Sequence, residues 1–232
     1  MLKRLRFPDA EKAQPWLPML LDAYAVADEG IMTAVRERTA ETGERLACSK
    51  GCDACCRTHR DIPVYPLELV GIYWFVVEML TGEVRGSVKK QLVSHGGDDP
   101  CPFLVEGTCA IHPLRPMACR QFNVFNRPCA EGEDAFHSRR QDVLTPLQEY
   151  TDRAFAIMLP FYGITGEEEK RRAIRSGYLH TLVRNLRTSA WTELARRMGD
   201  YDFQQDIRAG EGNLNVMLQT PDRKTGRMRR KP

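Results

Sequence analysis

Apolar residues recur at three- and four-residue steps along most of this chain, and the pattern is interrupted between Cys101 and Pro128. Leu17, Leu20, Leu21, Tyr24, Ala27, Ile31 and Val35 form one stripe near Pro18, a favoured first-turn residue, and predict a helix with a charged continuation from Arg36 to Arg45. Pro66 opens a second helix. Leu67, Val70, Trp74, Val77 and Leu80 share one side of it, while Leu69, Ile72, Tyr73, Phe75 and Val76 make the rest apolar too. A helix apolar all round is expected to be buried, or partly covered by a partner chain. Thr81-Gly82 ends it, and Val84, Val88 and Leu92 mark a shorter amphipathic stretch as far as Gly96-Gly97.

From Cys101 to His112, Glu106-Gly107 stands between two short apolar runs, which reads as a small hairpin. A three-residue loop places Cys101 and Cys109 on one face, and a two-residue loop inverts that relation. Pro113 to Pro128 reads as a turn, a short helical piece and irregular chain. Thr145-Pro146-Leu147-Gln148 has the form of a capping box before Leu147, Tyr150, Ala154 and Met158. Thr165-Gly166-Glu167-Glu168 repeats that signal ahead of a long stripe of Leu179, Leu182, Val183, Leu186, Ala190, Leu194 and Met198. Glu167 to Glu169 are acidic residues at a helix start, where the macrodipole favours them.

Hydrophobic residues make up 42% of the 232 and charged residues 28%, enough for a sizeable core in one domain. Thirty-four basic residues stand against 31 acidic ones, for a net charge of +3, so no chain-wide field for nucleic acid or anionic membrane is present. Any nucleic-acid contact is confined to the basic tail, where Arg223, Lys224, Arg227, Arg229, Arg230 and Lys231 face the single acid Asp222 with no interleaved aromatic residue. The apolar run Leu69–Val77 is too short to span a bilayer, so no transmembrane segment is predicted. Met1-Leu-Lys-Arg-Leu-Arg-Phe-Pro lacks an apolar signal region, and the expected location is the cytoplasm.

Location decides how the eight cysteines are read. In a reducing compartment clustered cysteines serve metal or redox chemistry, whereas export would make four disulfides the competing account. Cys48, Cys52, Cys55 and Cys56 fall within nine residues, with gaps that let a chain fold back on one ion and Gly51 to ease the path. Cys101, Cys109, Cys119 and Cys129 are spread over the proline-rich segment. All eight are candidate metal ligands. The side chains of adjacent Cys55 and Cys56 diverge, which favours different metals or different irons and so two neighbouring centres. The expected fold class is mainly α: a single helical domain over 1–212, with an irregular, metal-organised cysteine segment over 48–129 and a small β-hairpin. Residues 213–232 are expected to be a basic, disordered tail.

Four thiolates leave a divalent ion with a net charge of about −2. Lys50, Arg57, Arg115 and Arg120 are the candidates to offset it. His59 and His112 are possible replacements for one cysteine, while His95, His137 and His180 read as surface or structural residues.

Cys48-x3-Cys52-x2-Cys55-Cys56, Cys101-Pro-Phe-Leu, Gly107-Thr-Cys109-Ala-Ile-His, Leu114-Arg-Pro-Met-Ala-Cys119-Arg and the later Cys129 resemble the YkgJ-type cysteine-cluster family. That resemblance implies a zinc- or iron-chelating domain and little more. It extends to flagellin lysine methylases with a similar cluster, although no glycine-rich cofactor loop accompanies it here. Two cofactors stay open, an iron–sulfur cluster and zinc. The vicinal pair and the thiol count favour iron–sulfur slightly, and with it an electron-transfer or redox role. A structural zinc site that organises an interaction module is the main rival, because an all-cysteine set leaves no open position. Cys48-x3-Cys52-x2-Cys55 is also the spacing of radical S-adenosylmethionine enzymes, but the helical flanks are unlike their repeated strand–helix units. No Ser/His/Asp set, phosphate loop or paired carboxylates stand out.

Overall fold

The structure is a computed structural model and describes residues 4–219. A short helix α1 (Pro8–Ala13) precedes the long α2 (Trp16–Thr42), and α3 (Ala54–Thr58) carries the vicinal cysteines. Strand β1 (Pro63–Val64) leads into α4 (Pro66–Trp74), which runs on as a π-helical turn over Phe75–Met79, and α5 (Gly82–Ser94) follows. The hairpin is β2 (Leu104–Val105) and β3 (Thr108–Cys109). Then come α6 (Met117–Gln121), α7 (Ala135–Ser138), α8 (Gln148–Met158), α9 (Glu167–Arg175), β4 (Arg184–Asn185) and α10 (Thr192–Gln219). The fold is mainly α, as the periodicity predicts.

The apolar stripe of α2 forms the centre of the core. Leu17, Leu20 and Leu21 belong to one buried cluster with Leu67 and Ile72 of α4, Val88 and Leu92 of α5, and Leu194 and Met198 of α10. Each fully buried leucine of this set contributes about 1.5–3 kcal/mol relative to exposure. Helix α2 lies along α8, with Gly30 close against the Tyr150 ring. The charged end of α2 stays helical to Thr42.

The structure settles four points of the sequence pattern, and three of them are departures from it. Gly177, at φ 68°, ends the turn after α9, so the apolar stripe from Leu179 to Met198 is divided between a 3-10 segment (Tyr178–Leu182), β4 and α10. A left-handed backbone costs a glycine nothing and breaks the helix there. Helix α8 starts at Gln148 with Leu147 at its N-cap, so Thr145 does not cap it. The hairpin turn has two residues, Glu106 and Gly107, with Leu104 opposite Cys109. The fourth point is α4: Val70 and Met79 are exposed, whereas Glu68, at the polar edge of the apolar run, is completely buried.

Strand β1 pairs antiparallel with β4, Pro63 opposite Asn185 and Val64 opposite Arg184. This pairing ties the chain just after the first cysteines to the C-terminal half. Helix α10 continues past residue 212 to Gln219, and the remainder of the basic tail, 220–232, lies outside the described residues. Among the described residues no helix is long and apolar enough to cross a membrane.

Candidate metal centre

The first cysteine loop turns at Gly51, where φ is 87° and the Cys52 amide donates to the Ser49 carbonyl at 3.1 Å. A side chain at that position would strain the backbone. On helical α3, successive side chains leave the axis about 100° apart, yet Cys55 and Cys56 hydrogen-bond to each other, so the divergence expected of this adjacent pair does not separate their sulfurs. The Cys101 amide donates to the Cys56 carbonyl at 2.8 Å and brings the hairpin segment against α3. Cys101 thus reaches the first loop through a turn ahead of β2 and not through strand register. Cys119 stands on α6, whose first amide, Met117 N–H, donates to Glu68 Oε1 at 2.6 Å.

These contacts place Cys52, Cys55, Cys56, Cys101, Cys109 and Cys119 on the wall of one cavity of about 380 Å³. Lys50, His59, His112 and Arg115 also face it, between apolar patches from Ile62, Ile111, Phe122 and Leu186. The other two cysteines lie to one side. Cys48 and Cys129 pack with Phe122 against Val124, Ala135 and Val143. The Val124 amide donates to Cys48 Sγ at 3.3 Å, and Arg139 Nη2 donates to Cys129 Sγ at 3.6 Å. Cys52 is close enough to act electrostatically on both, and Cys55 acts on Cys48 as well as on Cys101, Cys109 and Cys119.

All eight cysteines are free thiols. Burial pushes the Cys101 thiol up to about 12 and raises Cys48, Cys109, Cys119 and Cys129 above the usual thiol range. At Cys55 the largest upward cause is its hydrogen bond with Cys56, followed by burial. Arg115 opposes these shifts at Cys55, Cys109 and Cys119. Cys48, Cys55, Cys101, Cys109, Cys119 and Cys129 are therefore neutral near pH 7 unless a cation replaces their protons.

Of the four cations that the sequence offers, two are engaged elsewhere. Arg57 pairs with Asp53, while Arg120 pairs with Asp28 at 2.7 Å, donates to Pro113 O and Arg115 O, and lies over the Tyr24 ring. Arg115 differs: its buried Nε has no hydrogen-bond acceptor. Two further guanidiniums escaped the sequence reading. Arg139, only 4% exposed, is pinned by Glu133 and Asp142 and reaches Cys129. Arg187, 1% exposed, donates to His59 O at 3.0 Å and to Asp98 O at 3.3 Å, which joins α3 to the loop before Cys101. No short-range signal marks Arg187, because its partners lie roughly ninety or more residues away in sequence.

Among the described residues no three Cys, His, Asp or Glu side chains already stand together as a ligand set. Rotation about χ1 carries each sulfur between staggered positions, and six thiols on one cavity wall offer more donors than a tetrahedral ion needs. The orphaned Arg115 Nε provides a cationic donor for a centre with excess negative charge. The residues fit a thiophilic metal.

Residues 47–142 match the model of the CxxCxxCC family, described as "Putative zinc- or iron-chelating domain". The match coincides with the cysteine-cluster family that the spacing resembles, and the coarse reading it supports is zinc or iron chelation by this segment. Neither a curated protein nor a solved structure matches the chain.

Proposed function

We propose that this protein holds an iron–sulfur cluster among its cysteines and serves as a cytoplasmic electron carrier. The carrying observation is the cavity of about 380 Å³ with six thiols on its wall. A single zinc ion with four sulfurs at about 2.3 Å leaves no interior space. At about 380 Å³ the cavity is far larger than one ion requires, so a polynuclear group suits it better. When bound, such a cluster supplies one-electron redox chemistry, with a potential set by net charge, hydrogen bonds to sulfur and exposure. Arg115 supplies positive charge to Cys55, Cys109 and Cys119, Arg139 donates to Cys129, and the apolar patches limit water.

Reductive titration of anaerobically purified protein tests the redox role. The expected result is a visible absorbance that bleaches on reduction and an electron paramagnetic resonance signal in one of the two states. A colourless protein with stoichiometric zinc and no redox response supports the structural zinc reading instead.

A further inference from the structure

His59 follows the vicinal cysteines by three residues and is held at every point except one. Its amide donates to the Cys55 carbonyl at 3.0 Å, and its carbonyl accepts from Arg187. The ring stacks on Phe122, with centroids 4.8 Å apart, and meets Phe136 edge-on at 5.7 Å. Nδ1 lies 3.0 Å from Asp134 Oδ2. A carboxylate only accepts, so Nδ1 carries a proton, and in the neutral tautomer that this selects, Nε2 is the nitrogen with the lone pair. Asp134 is itself fixed, since its Oδ1 accepts from the Phe136 amide at 2.9 Å as the N-cap of α7. Among the described residues no donor reaches Nε2, and the ring faces the cysteine cavity.

A histidine with one nitrogen locked to a carboxylate and the other free beside thiols has the arrangement that metal-ligating histidines share, in which the carboxylate fixes the tautomer and raises ligand basicity. Cys48, Cys52 and Cys129 influence one another and make only three thiols. Cys48 and Cys129 pack against the same Val124, Ala135 and Val143 cluster as Phe122, the ring on which His59 stacks. We propose that His59, oriented by Asp134, is the nitrogen donor that completes Cys48, Cys52 and Cys129 as a mixed cysteine–histidine site. The remaining thiols then serve a separate all-sulfur centre in the cavity. This inference rests on the metal-binding reading and holds whether the native metal is zinc or iron, because three thiolates and one imidazole suit both.

Cadmium-113 is the probe, loaded anaerobically into full-length protein labelled with ¹⁵N-histidine. The expected result is scalar coupling between one cadmium resonance and the His59 imidazole, absent in His59→Gln. Asp134→Asn is expected to retain the coupling with affinity at that site about 10–100-fold weaker. Cadmium bound only in all-sulfur surroundings, with no nitrogen coupling in the unmutated protein, overturns the inference and leaves metal binding intact. Failure of the unmutated protein to take up cadmium overturns both. The coupling in the unmutated protein is decisive even if a variant fails to fold.

Discussion

Glu68 is a carboxylate with no solvent exposure that joins the start of α4 to the start of the cysteine-bearing α6. Its Oε2 accepts from the Tyr65 amide at 2.9 Å and its Oε1 from the Met117 amide at 2.6 Å. Glu68→Gln keeps one acceptor and turns an NH2 group toward the other amide. One buried N–H is then unsatisfied, at about 1–3 kcal/mol, and Glu68→Ala orphans both, at about 2–6 kcal/mol. Burial raises the Glu68 carboxyl from 4.5 to about 7, against the opposing pull of the two amides. A raised folded value means that this group's stabilisation is complete below pH 4.5 and is lost as pH rises through about 7. The shift of about 2.5 pH units corresponds to about 3 kcal/mol at most, at 1.36 kcal/mol per unit. Glutamine lacks this dependence. Urea unfolding of metal-free protein at pH 5 and pH 8 is expected to show a penalty for Glu68→Gln that shrinks at the higher pH, where relief of the buried charge offsets the lost hydrogen bond. A penalty that grows with pH would mean that the amides outweigh burial and that the Glu68 carboxyl is not raised.

Three further outcomes follow from the same structure. Arg187→Met leaves His59 O and Asp98 O without their donor and is expected to lower Tm and weaken metal binding at least about tenfold, as read by thermal melts and chelator competition. Arg115→Gln removes positive charge beside Cys55, Cys109 and Cys119 and is expected to make the reduction potential more negative, because reduction adds negative charge; potentiometry reads the shift. With their values raised, these thiols stay protonated in the metal-free protein from pH 6 to 8. Metal affinity in chelator competition should therefore rise with pH, by about tenfold per unit for each proton displaced.

The helices were legible wherever a local period governs burial: the stripe of α2 and the Val84–Val88–Leu92 stretch of α5 both appear as helices. The long C-terminal stripe misled because apolar spacing carries no information about the left-handed turn at Gly177. Glu68 reads as a polar boundary in sequence, since the two amides that receive its carboxylate are defined only once α4 meets α6. At the site, spacing identified the cysteines as a group but not their neighbourhoods. Chain order suggests a tight foursome and a spread foursome, whereas the structure puts six on one cavity and sets Cys48 beside Cys129. The β1–β4 pairing and the reach of Arg187 are long-range contacts between segments whose local sequence carries no sign of them.

Iron, zinc and acid-labile sulfide, measured per chain on protein purified without oxygen, decide whether the cysteines hold an iron–sulfur cluster. The expected result is iron and sulfide in comparable amounts, both lowered when Cys55 or Cys119 is replaced by serine. Zinc at one or two equivalents, with neither iron nor sulfide, contradicts it.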